Sequence, residues 1–339
     1  MTVNERTTFA DIAARVGTSV STVSKVLNGR PGVSDELRDQ ILTLLNETQY
    51  TRRSAGHQTP SRLIEIVFAD IHGLWSSRLL YGAEAEANQA GVSLVVGSIH
   101  ERSLGNRRWI EQFRKRWPRG LVLVACRVKD DLDMTLRRLR VPYLFVDPLT
   151  AIPDNVVSIH VTNFAGTREA TQHLADLGHR RIAAITGTLD LTYALERLDG
   201  YRAALSQAGI GYDSRYVRYG AMDVASGYRL GGELLDLADR PTAIFAGSDL
   251  QAYGVYSAAR ERGIAIPADL SVIGFDNLES CEWCFPRLTT VDQPLEDMGA
   301  LAVRTILSGL WNDPGPVSPR IDLPSTLVVR ESTAPPPAL

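Results

Sequence analysis

Cysteine is scarce in this chain of 339 residues, at Cys126, Cys281 and Cys284 only. So few thiols exclude a disulfide-stapled scaffold and fit a reducing compartment. Cys281 and Cys284 form a C-x-x-C, but no further ligand stands near them in sequence, so neither a redox nor a zinc role is expected. No run approaches the roughly 18 apolar residues of a bilayer span, and the N-terminus has no apolar signal core. The expectation is a cytoplasmic protein with no membrane partner. Motifs of the common cofactor and nucleophile chemistries are also missing. The turn after the first apolar run reads Asp70-Ile71-His72-Gly73-Leu74-Trp75 where a dinucleotide enzyme needs Gly-x-Gly-x-x-Gly. No Gly-x-Ser-x-Gly elbow, P-loop or clustered-histidine motif occurs. These gaps count against an enzyme, and no cofactor and no metal are expected.

What is present is an ordinary globular composition, 44% hydrophobic and 22% charged, which argues against disorder. The length exceeds one compact core and suits a small head on a larger body. Net charge is −3. Residues 1–62 carry a balance of +2 and the remainder −5. A mildly basic head on an acidic body would aim DNA at the head.

Residues 8–28 read as two short helices. Phe9, Ile12, Ala13 and Val16 follow the i, i+3, i+4, i+7 pattern of one helical face. Gly17 is a stop that tolerates positive φ, and Ser19 is a candidate N-cap for the next helix. On that helix Val23, Val26 and Leu27 would point inward, and Ser21, Thr22, Ser24, Lys25 and Asn28 outward. Small hydroxyls, an amide and one cation suit a DNA major groove. The alternative is a plain helical hairpin with a solvated face. Pro31-Gly32 then marks a turn, and Ser34-Asp35-Glu36 opens a third helix through Leu37, Ile41, Leu44 and Leu45.

The runs Asp11-Ile12-Ala13, Ser21 to Asn28 and Val33-Ser34 resemble the headpiece of the lactose/galactose repressor family. The resemblance implies a helix-turn-helix whose second helix enters the major groove. By position it implies that Val20, Ser21 and Lys25 face bases, and Ser19, Thr22, Ser24 and Asn28 face phosphates. One departure is Thr18, where that family usually has Val. Between residues 50 and 63 the family normally carries a hinge helix with an apolar wedge for the minor groove. Here the stretch holds no Leu, Ile, Met or Phe, and Gly56 disfavours helix by about 1 kcal/mol relative to Ala. A disordered linker is expected, with Arg52, Arg53 and Arg62 on phosphates or in the minor groove, the alternative being a plain tether.

From residue 63 short apolar runs alternate with amphipathic segments. Strands are expected at 63–69, 92–98, 120–124, 143–146, 158–160, 182–186, 216–219, 243–246, 271–275 and 289–291. Helical patterns stand at 77–90, 167–177, 195–208 and 251–262. Alternation with fully apolar strands predicts α/β architecture: two doubly wound parallel sheets, with ligands beyond the strands' carboxyl ends. The residues just after strands there include Asp70, His72, Trp75, Asp147, Asp190, Ser248, Asp249, Asp276 and Gln293. Acids, amides and indoles suit a carbohydrate's hydroxyls and C–H faces. For Asp190 and Asp249 the alternative is an N-cap; for Trp75 and Trp283 it is core packing.

Leu177 to Ile182, Arg197-Leu198-Asp199-Gly200-Tyr201, Ser271 to Asp276 and Leu288 to Val291 resemble that same family's effector domain. The resemblance implies a periplasmic-binding-protein-like fold of two lobes with three crossovers and the effector in the cleft. It assigns effector contacts to Arg197 and Asp276, and less firmly to Gln293. An Arg fork and a carboxylate suit vicinal hydroxyls gripped from two sides. Ser248 stands where the family usually has Asn. The implied layout is a headpiece at 1–50, a linker at 51–62 and an effector and dimerisation domain at 63–332. Its first lobe would hold about 63–160 and 293–320, its second about 161–292 and 321–332. No tetramer-forming heptads follow Val329, so a homodimer on double-stranded operator DNA is expected, located at the nucleoid.

The resemblance thus implies a DNA-binding regulator, acting as a repressor and controlled by a small sugar. Trp75 and Trp283 as two stacking platforms would suit a plant-derived disaccharide. The segment from Phe275 to Trp283 is similar to repressors of cello- or xylo-oligosaccharide genes, and three lysines against 33 arginines fit a GC-rich genome. The alternative is a sugar-binding protein of transport type, which would need a signal peptide and no headpiece. Asp147 and Asp276 as a glycosidase pair are a remoter reading.

Overall fold

The computed structural model describes residues 9–27, 32–47, 61–71, 73–99, 107–127, 136, 141–152, 156–309 and 320–337. The chain divides into two compact units, 1–59 and 60–339. Asn28, Arg52, Arg53, His72 and residues 51–60 of the expected 51–62 linker lie outside the described residues.

The described residues of the small unit form three helices: α1 (Phe9–Arg15), α2 (Val20–Leu27) and α3 (Asp35–Glu47). Ile12, Ala13, Val23, Val26 and Ile41 form its buried core, with Phe9, Val16, Val33, Leu37 and Leu44 packed around them. Gly17 ends the first helix at φ +61°, a conformation that favours glycine. Ser19 caps the second, its Oγ accepting from Thr22 N at 3.2 Å.

The large unit contains two six-stranded sheets. The first is built from β1 (Leu63–Phe68), β2 (Ser93–Ser98), β3 (Gly120–Val124), β4 (Tyr143–Val146), β5 (Ser158–Val161) and β11 (Arg320–Leu323). Its order is β11-β5-β4-β3-β1-β2, parallel throughout. Helices α4 (Gly73–Gln89), α5 (Arg107–Arg116) and α10 (Leu295–Ser308) belong to this lobe. Gly82 and Gly299 let α4 and α10 meet at the backbone, since a Cβ on either would collide with a carbonyl of the other helix.

The second sheet holds β6 (Ile182–Thr186), β7 (Val217–Tyr219), β8 (Ala243–Ala246), β9 (Ser271–Asp276), β10 (Thr289–Asp292) and β12 (Thr326–Val328). Its helices are α6 (Asn163–Asp176), α7 (Thr192–Gln207), α8 (Val224–Leu235) and α9 (Asp249–Glu261). The strands are parallel except β12, which runs antiparallel to β10 and corrects the all-parallel expectation. Strand interiors are apolar on both faces because helices cover both.

The chain passes between sheets after β5, after β10 and after β11. Two of these crossings are stitched together. Thr162 N donates to Leu323 O at 3.0 Å, and Ser325 N donates to Thr162 Oγ1 at 2.9 Å. Because β11 pairs with β5, residues 321–323 lie in the first lobe, where the sequence alone had put them in the second. The tail also continues past 332, with Ala334 N on Ser271 Oγ and His179 Nε2 on Ala334 O.

Candidate functional site

The exposed side of α2 is the candidate DNA surface. Val23 and Val26 are spent on the core, which leaves Val20, 48% exposed, with Ser21 and Lys25 facing solvent and Thr22 and Ser24 half-buried. Ser19 Oγ sits 2.7 Å from Ser21 Oγ and 2.9 Å from Thr22 Oγ1, so the cap also gathers hydroxyls at the helix start. A helix N-terminus lined with hydroxyls can offer donors to a phosphate, and a lysine one turn on is long enough for a base edge.

In the large unit a cavity of about 220 Å³ lies at the carboxyl ends of strands from both sheets. Its lining includes Trp75, Ala125, Asp147 and Leu149 from the first lobe, and Tyr193, Arg197, Met222, Ser248, Asp276 and Leu278 from the second. Gln293 lines it at the second crossing. Of the five non-glycine residues with positive φ among those described, Ala125, Asp147 and Asp276 are here. Strained backbone concentrates where a side chain must be aimed.

Arg197 is the site's fixed cation, 4% exposed. Its Nε donates to Asn163 Oδ1 at 2.9 Å and its Nη1 donates to Gly247 O. The guanidinium lies 3.7 Å from the Phe275 ring centre and 5.1 Å from that of Tyr193. Asn163 is itself held, donating to Glu196 Oε2 at 3.0 Å, and Glu196 Oε1 pairs with Arg320 at 2.9 Å. This chain of contacts ties the guanidinium's plane to an edge strand of the opposite lobe. Further bonds span the lobes around the cavity: Arg127 with Asp190 at 2.7 Å, Thr192 N to Leu149 O at 3.0 Å, and Arg78 Nη1 to Asn277 O at 2.9 Å.

Asp276 accepts from Gln293 Nε2 at 2.5 Å. Burial pushes its carboxyl well above the ordinary range, with Arg197 pulling it back. Gln293 Oε1 is buried with no hydrogen-bond partner among the described residues, an orphan that costs about 1–3 kcal/mol until a donor arrives. Burial pushes Tyr193 up to about 12 and Asp147 up to about 6, the latter again opposed by Arg197. A folded-state value above the unfolded one, about 3.9, means folding favours the protonated acid. That contribution is fully present below about pH 4 and is lost as pH rises through about 6. Asp147→Asn is therefore expected to raise the melting temperature of the ligand-free protein at pH 7.5 and to raise it less at pH 5. Asn suits the positive φ of this position as well as Asp does. Thermal melts at the two pH values check this, and an equal change at both would contradict it.

Other expected residues stand elsewhere. Asp249 is fully buried and does not line the cavity. Its carboxylate ties down the loop after β9, accepting from Leu278 N at 2.8 Å, Cys281 Sγ at 3.1 Å and Thr290 Oγ1 at 2.5 Å. Ser248 is the N-cap of α9, accepting from Gln251 N at 3.1 Å, while also lining the cavity. Trp283 is 64% exposed and not in the lining, because the 3₁₀ turn Glu279–Glu282 carries it out to solvent. Asp70 is exposed and also outside the lining. Cys281 is buried, and burial pushes its thiol up, away from the thiolate that reactivity requires. Tyr193 was missed by sequence reasoning; its signal is the i, i+4 spacing that puts it on the same helix face as Arg197.

Comparison with known proteins fits this layout. Residues 8–53 match the bacterial regulatory proteins of the lacI family, and residues 171–333 match a periplasmic binding protein-like domain. The HTH-type transcriptional regulator DegA of Bacillus subtilis is 33% identical over 340 residues, covering 97% of this chain and 99% of DegA. The chain belongs to the lacI family. It is a transcriptional regulator with a helix-turn-helix headpiece and a two-lobed α/β domain, not an enzyme. Another lacI-family relative, the regulator CelR of Thermobifida fusca, is 33% identical over 341 residues, 96% of this chain and 98% of CelR. Among solved structures, a CelR–cellobiose complex superposes with a TM-score of 0.72 at 30% identity, covering 96% of this chain and all of that one. The lac repressor dimer bound to operator superposes at 0.68 with 27% identity, covering 97% and 100%. No helix among the described residues is long and apolar enough to cross a membrane.

Proposed function

We propose that this regulator represses transcription as a homodimer, and that a neutral sugar in the lobe cavity sets its grip on operator DNA. The observation that carries the reading is the polar set of Arg197, Asp276 and Gln293 Oε1 inside a cavity walled by Trp75 and Tyr193. A sugar offers hydroxyls that donate to the orphan amide oxygen and to carboxylates, hydroxyl oxygens that accept from a guanidinium, and C–H faces for the rings. Among the described lining residues, two acids against one cation disfavour a phosphorylated ligand. With Trp283 outside the lining, the two-platform argument for a disaccharide falls away. Cellobiose remains the first probe because the CelR structure holds it. The test is a thermal-shift series with cellobiose, glucose, xylobiose, a phosphorylated sugar and a purine. A true effector at 100 times its Kd should add about 2.7 kcal/mol of stability. Stabilisation by the purine or the phosphate ester alone would overturn the sugar assignment.

On the DNA side, Ser21, Lys25 and Val20 read bases, and Ser19, Thr22 and Ser24 hold phosphates. Lys25→Ala is expected to cost about 1–3 kcal/mol on the operator and to relax discrimination at one base pair per half-site. Binding measured on operator, single-base variants and random duplex checks this. Equal weakening on all three would demote Lys25 to a phosphate contact.

A further inference from the structure

The body of this chain is acidic, with a balance of −5 over residues 63–339, yet one edge of its first lobe is not. Ser61 N and Oγ both donate to Trp117 O, at 3.2 and 2.7 Å, and Arg119 N donates to Leu63 O at 2.7 Å. These bonds lay the incoming strand beside the segment that follows α5, so Arg62 and Arg119 stand at the amino ends of two neighbouring strands. The last turn of α5 carries Arg114 and Lys115 and ends four residues before β3 begins. Arg62, Arg114, Lys115 and Arg119 are all exposed.

Local acids do not explain these cations. Arg116, at the same helix end, pairs with the buried Glu65 at 2.8 Å, which uses up that carboxylate. None of the other four has an ion-pair partner among the described residues. The nearest acid on the helix is Glu111, a turn earlier. Cations in a last helical turn do complement the helix dipole. That accounts for Arg114 and Lys115 but not for Arg62 and Arg119, which belong to other segments.

The location supplies the occupant. These residues sit at the amino ends of β1 and β3, opposite the cavity and about 17–20 Å from it along the strands. They also sit where the chain arrives from the DNA-binding headpiece. From Glu47 to Ser61 is 14 residue steps, at most about 50 Å when fully extended. A headpiece on its site therefore keeps this edge near the same duplex at high effective concentration.

We propose that this basic edge is a second DNA contact, made by the regulatory body itself with the phosphate backbone. It carries no sequence information and adds affinity beside a linker with no apolar wedge. The expected signature is electrostatic. Full-length protein carrying Arg114→Ala, Lys115→Ala and Arg119→Ala should bind operator at least about fivefold more weakly at 0.1 M salt. Its plot of log affinity against log salt should be shallower by about 2–3, near 0.9 per lost phosphate contact. Operator and random duplex should weaken by the same factor, since phosphates are read equally on both. An Arg260→Ala variant, removing one exposed cation of the second lobe, serves as the charge control, and an unchanged melting temperature shows that the body is folded. An unchanged slope with operator affinity within twofold of the parent would overturn the proposal. So would loss of the dimer in the triple variant, which would make the edge a protein–protein surface.

Discussion

Arg197→Ala is expected to weaken sugar binding by about 30-fold to a few thousand-fold, the 2–5 kcal/mol typical of removing a buried, hydrogen-bonded charge. The size follows from the surroundings. Arg197 is held by Asn163 and Gly247 and stacked on Phe275, so its geometry is fixed before a ligand arrives. Among the described residues nothing else in the lining is cationic. Its removal also strips a counter-charge from Asp147 and Asp276, whose carboxyls then rise further. Arg197→Lys should recover only part of the loss, because an ammonium cannot span Asn163, Gly247 and a hydroxyl pair at once. Calorimetric titration of both variants with the identified sugar is the check. A loss under about threefold in Arg197→Ala would remove the guanidinium from the binding machinery.

The second large effect belongs to the headpiece. Ile12 is fully buried, in a core that holds five buried residues among those described. Ile→Ala in such a site costs about 2–5 kcal/mol, and a unit this small has little stability to lose. Ile12→Ala should therefore abolish operator binding without touching a base contact, and leave sugar affinity within about twofold. Anisotropy titrations on operator, beside calorimetry on sugar, separate the two outcomes. Retained operator affinity would mean that the headpiece draws stability from elsewhere, DNA included.

Local signals made much of this architecture legible. Gly17 and Ser19 punctuate the helix-turn-helix chemically, and nearly every strand with helices on both faces announced itself as an unbroken apolar run. Asp147, Ser248 and Asp276, each just past a strand end, line one cavity because in a parallel sheet those ends share one edge. What escaped depended on distant partners. The edge strands β11 and β12 are short and alternate weakly; they exist because β5 and β10, far back in sequence, offer free edges. Asp249 and Ser248 are equally polar neighbours after one strand. The loop amide of Leu278, the thiol of Cys281 and the hydroxyl of Thr290 turn one inward and leave the other on the cavity. Trp283 lies seven residues past Asp276, yet a single 3₁₀ turn sends it to solvent.

The central claim is that two sites on one chain share free energy. Coupling of this kind amounts to about 1–3 kcal/mol, or 5–150-fold in affinity, and must be reciprocal. The direct measurement is a sugar titration of the dimer, once free and once saturated with operator duplex. The account predicts sugar affinities that differ by at least about fivefold, with operator affinity shifted by the same factor when sugar is held saturating. Identical sugar affinity with and without operator would contradict it.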